Sequence, residues 1–484
     1  MSTPYFPAFR PRLAALGHRT VHTLRQATLA QLQEQLRDFL PAPLLASEDE
    51  GPNSRERVFS LRLTLECFLW QMLKPRTACR EVVRQVQTLF GLAGLGCPAA
   101  GDSAYVQARL RLPKERLEKV VAATALAADR RAGAGGQLQG RPVKVVDGSS
   151  AQLADTRENQ KRYPQPATQK RGCGFPLMKF VVLMSLTSGA VLNVLTGSLH
   201  DHDLRLLRGL WEHLSKGDIL LGDRAYGEFT TLASLPSLGV DVVARLHQRR
   251  KVDFRQARRL GKNDGLFAWA KPGQQSDILS RQEWRRLPEQ ITVRIIRFTA
   301  TIRGFRNRRL TLVTTLLDAQ LYPAEELAAL YARRWRLELC LRDLKTTMGM
   351  EVLRGKSPDL AEKELLACLA AHNLVRCVMA EAVAQHQVDL ERVSFKGSVD
   401  ALRQYSEAIG KARNRKLRRQ LWADLLSNLA CDLVRHRPNR TEPRAVKRRP
   451  KPFPLLNQPR RQFVEISHRG RYWKGRTRNY RGLN

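Results

Sequence analysis

The sequence predicts an α/β protein in which a strand-and-helix middle is held between a helical N-terminal region and a basic C-terminal region. Three observations lead there. Residues 1–138 are rich in Leu and Ala and lack strand-like alternation. From residue 141, short apolar runs bounded by Gly and Ser alternate with helical periodicity, as strands and crossovers do. A third stretch, 248–316, is dense in Arg and Lys and carries strand-like runs at 266–270, 291–303 and 309–316.

The elements follow in order. Segments 54–74, 76–90 and 113–130 carry apolar residues at i, i+3 and i+4 and predict helices. Ser103–Arg111 predicts another, presenting Arg109 and Arg111 to phosphate, within either a helix-turn-helix or an ordinary bundle. Ala132–Gly136 reads as a linker. The middle predicts strands at 142–147, 176–187 and 190–196, a helix at 203–215 and a strand at 218–223, then a helix at 227–235 and a strand at 240–246. The next long helix begins near 324. The 115 residues between Asp223 and Glu338 exceed any plain connection, so 248–316 predicts a β-rich insertion. Its Trp269, Trp284, Phe298 and Phe305 lie among positive charge; most aromatics in a small β-unit are its core. A helix over 361–387 encloses His372 and Asn373, which read as core residues.

Charge narrows the function. Lys and Arg number 83 against 45 Asp and Glu, a net +38. Such a field suits a polyanion and little else, so nucleic acid is the expected partner. Residues 435–484 alone hold 16 Lys/Arg against Glu442 and Glu465, with six prolines that deny a regular helix; they predict an extended, phosphate-tracking arm. The eight cysteines show no zinc-ligand spacing and read as reduced. Met1–Pro7 lacks the pattern of a signal peptide, and Phe180–Val194 is broken by Thr187-Ser188-Gly189, as paired strands would be. In His200-Asp201-His202-Asp203, Asp203 reads as the cap of the helix beginning at Leu204, and not as part of a metal site.

The chemistry concentrates in Tyr331–Lys345. At ~100° per residue, Tyr331, Arg334, Glu338 and Lys345 share a face roughly 60° wide, beside an apolar stripe of Leu330, Leu337, Leu341 and Leu344. Spacing alone does not separate a catalytic row from a salt-bridge ladder. Two upstream acids add weight: Asp147 ends the run Pro142–Val146, and Asp223 closes Asp218–Gly222, each at a predicted strand tip before a turn. Singly, such an Asp is usually a turn residue or cap. Together, Asp147, Asp223 and Glu338 supply three carboxylates from separate elements, the donor set that holds two hard divalent cations around a phosphodiester.

At these residues the chain resembles the DDE transposases of bacterial insertion sequences, in the type-four subgroup marked by Tyr-x2-Arg-x3-Glu-x6-Lys. Tyr331, Arg334, Glu338 and Lys345 match that pattern throughout. Asp147-Gly148-Ser149 and Gly222–Gly227 resemble its two Asp regions, Asn439–Pro450 its basic C-terminal block and Phe68–Leu73 its N-terminal segment. The resemblance runs from about residue 55 to about residue 460.

The strand order matches a ribonuclease-H-like catalytic domain. The expected division is a helical DNA-binding region at 1–138, catalytic parts at 139–247 and 317–388, the insertion at 248–316 and a helical, basic region at 389–484. The resemblance implies metal-dependent cleavage at element ends and strand transfer into target DNA, by a cut-and-paste route with a hairpin intermediate. It implies Asp147, Asp223 and Glu338 as catalytic metal ligands for two Mg²⁺, replaceable by Mn²⁺. Tyr331, Arg334, Lys345 and Arg342 are the expected phosphate contacts, and Trp284 the residue that stacks a base. Double-stranded DNA is the partner, a homodimer the synaptic form, and the bacterial cytoplasm at the nucleoid the location. A nuclease of the same fold without strand transfer, and an inactive DNA-binding regulator, are the alternatives.

Overall fold

The computed structural model describes residues 44, 58–92, 96–201, 203–300, 308–412, 414–434 and 456–463. Most of the N-terminal 57 residues, His202, Phe305 and nearly all of the basic arm lie outside the described residues.

The N-terminal helices are α1 (Leu61–Leu73), α2 (Cys79–Leu92), α3 (Ser103–Arg111) and α4 (Lys114–Ala132). Ser60 starts α1 by accepting the Leu63 N–H on its hydroxyl. Phe59, Leu63, Val82, Val83 and Tyr105 close a small core between α1, α2 and α3. Arg109 departs from expectation. It is 7% exposed, and only Arg111 of the pair faces solvent. One turn beyond buried Tyr105, Arg109 falls on the inward face, its guanidinium 5.0 Å from the Phe68 ring and 5.3 Å from that of Tyr105.

The sheet begins with β1 (Gln137–Leu138), β2 (Arg141–Leu153), β3 (Leu177–Ser185) and β4 (Val191–Gly197). Helix α5 (Asp203–Leu210) leads to β5 (Ile219–Gly222), and α6 (Phe229–Ser234) to β6 (Asp241–Arg245). Strand β3 runs antiparallel to both β2 and β4, whereas β5 is parallel to both β2 and β6, giving the order β4-β3-β2-β5-β6. Asp147 is therefore not at a strand tip. Strand β2 continues to Leu153 because β3 pairs with it from Lys144 to Gln152, overriding the local turn chemistry of Asp-Gly-Ser-Ser.

Residues 248–316 contribute β7 (Arg258–Gly261), β8 (Asp264–Ala270), helix α7 (Arg281–Arg286), β9 (Gln290–Ala300) and β10 (Arg308–Thr314). These strands do not form a sheet of their own. β10 pairs antiparallel with β6, with Leu312 opposite Arg245, and the sheet continues through β9, β8 and β7. Strand β7 escaped the sequence pattern because all four of its residues are exposed and none alternates. Arg294 of β9, fully buried, grips Asp264 through two donors at 2.8 and 2.5 Å and donates to the Tyr322 carbonyl at 2.7 Å. That contact ties the added strands to the approach of the next helix.

There follow α8 (Ala324–Arg333), α9 (Trp335–Arg342), the short β11 (Val352–Leu353) beside β2, α10 (Pro358–His386), α11 (Phe395–Lys411) and α12 (Arg415–Cys431). Two cores sandwich the sheet. The larger joins α4, α8, α9 and α10 to one face; the smaller joins α5, α6 and the turn after α5 to the other. Helix α10 is long and apolar enough to cross a membrane by composition, yet 89% of that window is buried inside the protein, so it is a core helix. Asn373 within it donates to the Val121 carbonyl at 3.0 Å and that of Val191 at 2.8 Å and accepts the Val191 N–H, stitching α10 to α4 and β4. Buried His372 stacks on Phe395 at 5.0 Å.

Candidate active site

Sheet register brings the first two acids together. The β2–β5 ladder ends at Val145 opposite Leu221, so Asp147 and Asp223 each stand two residues past the last pair, at one level on neighbouring parallel strands. Val143, Val145, Ile219 and Leu221 belong to the larger core, Val146 and Leu220 to the smaller. By alternation, both carboxylates project from the face where α9 packs. Asp223 Oδ1 accepts the Ala225 N–H at 2.8 Å and caps a three-ten turn over Arg224–Tyr226. Asp147 Oδ1 accepts the N–H of Gly148 at 2.8 Å.

Arg334 connects the strands to the third acid. Its Nη2 donates to Glu338 Oε1 at 2.6 Å, and its Nη1 lies 3.6 Å from Asp147 Oδ2. Burial pushes the Asp147 carboxyl up to about 6; Asp223 and Glu338 push it the same way, against the Gly148 N–H and Arg334. Asp147 thus stands within electrostatic reach of both other acids, with the Arg334 guanidinium between it and Glu338.

The signature does not lie on one helix. Arg334 joins α8 to α9 through a tight turn, its N–H bonded to the Tyr331 carbonyl at 3.1 Å and its carbonyl taking the Leu337 N–H at 3.0 Å. Those are three-residue steps, and Asp343–Thr347 then forms a π-helical turn with wider ones. The expected 60° face is therefore broken up. Tyr331 is 7% exposed with its ring 5.8 Å from the Arg334 guanidinium. Lys345 turns into a separate cleft, its charge desolvated and offset by Glu351. Arg342 is exposed beside Asp343, at 3.3 Å. Trp284 of α7 is half-buried, 6.5 Å from Phe229 edge-on and 5.4 Å from the Lys271 ammonium.

Two neighbours of the acids, Tyr226 and Asp203, were given no role beside them by the sequence. Tyr226, 1% exposed, feels the charges of Asp203, Asp147 and Asp223, which with burial hold its phenol well above the usual range. Asp203 is the first residue of α5 and not the cap before it; its Oδ1 pairs with Lys179 Nζ at 2.7 Å. A Cβ on Gly148 would stand 3.3 Å from the Asp203 carboxylate, and one on Gly222 only 2.8 Å from Tyr226. The glycines flanking both acids were the available signal: side chains pack against them. Trp335, next to Arg334, is 59% exposed.

Among the described residues no trio of His, Cys, Asp or Glu closes around a metal as it stands. The donors are nonetheless all carboxylate oxygens on rigid elements, with Arg334 supplying positive charge between two of them. That chemistry fits hard divalent cations, which take oxygen ligands and replace a guanidinium without a change in the sign of the charge held there.

The sequence profile described as Transposase DDE domain matches residues 138–374, the span that carries Asp147, Asp223 and Glu338. The chain shares that domain with transposases, enzymes of DNA cleavage and strand transfer whose family uses divalent metal ions. It is similar to transposase InsG for insertion sequence element IS4 of Escherichia coli, 27% identical over 426 residues, which are 87% of this chain and 93% of that one. The transposase for insertion sequence element IS421 of Escherichia coli is 38% identical over 64 residues, 13% of this chain and 17% of that one. Among solved structures, piggyBac transposase in a synaptic complex with hairpin DNA covers 84% of this chain and 85% of its own, with a TM-score of 0.40 and 8% identity.

Proposed function

We propose that Asp147, Asp223 and Glu338 are the catalytic carboxylates of a ribonuclease-H-like transposase that cuts both ends of its element and joins them to target DNA. The observation that carries the proposal is the β2–β5 register, which sets Asp147 and Asp223 level and on the face occupied by Glu338. The strand order β4-β3-β2-β5-β6 supports the ribonuclease-H-like reading. In this reading 1–138, described from residue 58 apart from residue 44, is the DNA-binding region, 139–247 and 317–388 the catalytic domain, 248–316 its insertion and 389–484 the C-terminal region.

The three acids would hold two Mg²⁺ or Mn²⁺ ions, whose charge would polarise the attacking and leaving oxygens of the phosphodiester. Arg334 has a second duty. Its planar fork leaves Glu338 to grip a phosphate oxygen pair beside the scissile bond, while Tyr331 limits where the guanidinium can swing. Burial raises the Asp147 carboxyl to about 6, and positive charge held beside it would favour its ionised form. Lys345 and Arg342 neutralise phosphates further along the strand. Trp284, with the Lys271 ammonium 5.4 Å from its ring, would stack a base. The cut-and-paste route, the hairpin and a homodimeric synaptic complex complete the proposal.

Two assays test it. Element-end DNA should be nicked by the wild type and not by Asp147→Ala, Asp223→Ala or Glu338→Gln, all of which still bind it. Pre-cut ends should be joined to a target plasmid by the wild type. Nicking at wild-type rate by any acid variant overturns the site; nicking without joining overturns transposition in favour of a nuclease.

A further inference from the structure

A cleft of about 1410 Å³ separates α1–α3 from the segment running from Lys345 through the start of α10. It is electrostatically one-sided: seven Lys and Arg side chains line it against four Asp and Glu. Of the four acids, buried Glu364 is spent on the backbone N–H groups of Arg354 and Gly355, at 2.9 and 2.8 Å. Lys345 marks one end. Seven residues of chain separate it from Glu338, so that end of the cleft adjoins the signature segment.

The floor carries a second, independent sign. Arg109 lines the cleft at 7% exposure, and its Nε has no hydrogen-bond partner among the described residues, although Nη2 reaches Cys79 Sγ at 3.2 Å. Nη2 of Arg403, on the α11 wall, is likewise buried and unpartnered among the described residues. Buried guanidinium donors are normally satisfied, and two such groups among the residues lining one cleft add positive charge that an anion there would balance. The Arg76 backbone is held at φ 65° and its carbonyl takes Nη1 of Arg354 at 3.1 Å, which fixes the Arg354 side chain at the cleft.

We propose that this cleft holds the phosphodiester backbone of one unpaired DNA strand leading away from the active site, gripped by Arg76, Arg109, Arg354, Lys396 and Arg403. The inference rests on the DNA-cleaving reading above and adds where a separated strand goes. Size favours a single strand: the cleft is roughly 11 Å across if equant, narrower than the two grooves of B-DNA together, about 12 and 6 Å. Charge complementarity selects the backbone, and not a base edge, as the part that is held.

The test uses the full chain and two labelled DNAs, a blunt element-end duplex and the same duplex with a short single-stranded extension, titrated by fluorescence anisotropy at several salt concentrations. The wild type should prefer the extended DNA by about tenfold. Arg354→Ala combined with Lys396→Ala should abolish that preference, change blunt-duplex affinity less than about twofold, and lower the salt slope on extended DNA by ~0.7 for each phosphate no longer neutralised. Equal weakening on both DNAs, or none on either, would overturn the proposal. Should the Arg354 variant fail to fold, exposed Lys396→Glu on the opposite wall is held to the same outcomes. A wild type that binds neither DNA would instead sink the DNA-cleaving reading, and this one with it.

Discussion

Arg334 closes on Glu338 at 2.6 Å across the junction of two helices, with its other terminal nitrogen directed at Asp147. The guanidinium thus balances two acids from separate elements at once. Arg334→Lys keeps the charge but not the fork. If the planar group fixes the scissile phosphate, single-turnover cleavage should fall on the order of 10²-fold, with DNA affinity nearly unchanged. Cleavage at the parental rate would mean that Arg334 merely ties the helices to the sheet.

Divalent cations should stabilise the protein through the same acids. A ligand that binds only the folded state adds about 2.7 kcal/mol at a hundred times its dissociation constant. Raising Mg²⁺ should therefore lift the thermal midpoint of the wild type and leave that of Asp147→Ala, or of Asp223→Ala, nearly still. An equal rise in all three would place the ions elsewhere.

The acids were legible because each ends an apolar run flanked by glycine, and the parallel order of β2 and β5 follows from the helix between them. Other features were not. Asp-Gly-Ser-Ser is local turn chemistry, and only the distant β3 overrides it at Asp147. Nothing in Ala332-Arg-Arg334-Trp335 announces a break, since neither Gly nor Pro marks the tight turn. Asp203 and Tyr226 approach the acids through tertiary packing, to which periodicity is blind. Arg109 carried a charge that argued for solvent, and its helical phase placed it inside.

Arg294 should matter to stability more than any exposed arginine. Its Asp264 partner is largely buried, so Arg294→Ala leaves an uncompensated carboxylate and should cost about 3–5 kcal/mol in urea unfolding. Replacing both residues by Leu should recover most of that deficit. A double variant as weak as the single would show that the Tyr322 carbonyl contact, and not the ion pair, sets the cost.

His372 predicts a pH dependence. Burial first, and the Arg376 charge second, lower its imidazole from 6.5 to about 3. Below pH 6.5 the unfolded chain takes up a proton that the folded chain refuses, so stability is lost as pH falls, on the order of 2 kcal/mol by pH 5. Asp147 has the opposite sign, its raised carboxyl favouring the folded state as pH drops through about 6. Comparing wild type with His372→Gln between pH 7 and 5 isolates the histidine: the variant should show the shallower decline. Parallel curves would mean that His372 is protonated in the fold.

The hydrogen bonds between β6 and β10 make residues 248–316 impossible to excise cleanly. In a bead-on-a-string insertion, trimming the loop to a short hairpin would return a plain ancestor. Here the same deletion would strip β6 of its neighbour and leave a row of bare amides and carbonyls along a long, apolar sheet, ready to template another chain. Shortened homologues of this protein should therefore carry a replacement edge: a proline, a lysine ladder or a covering helix over the strand equivalent to Asp241–Arg245.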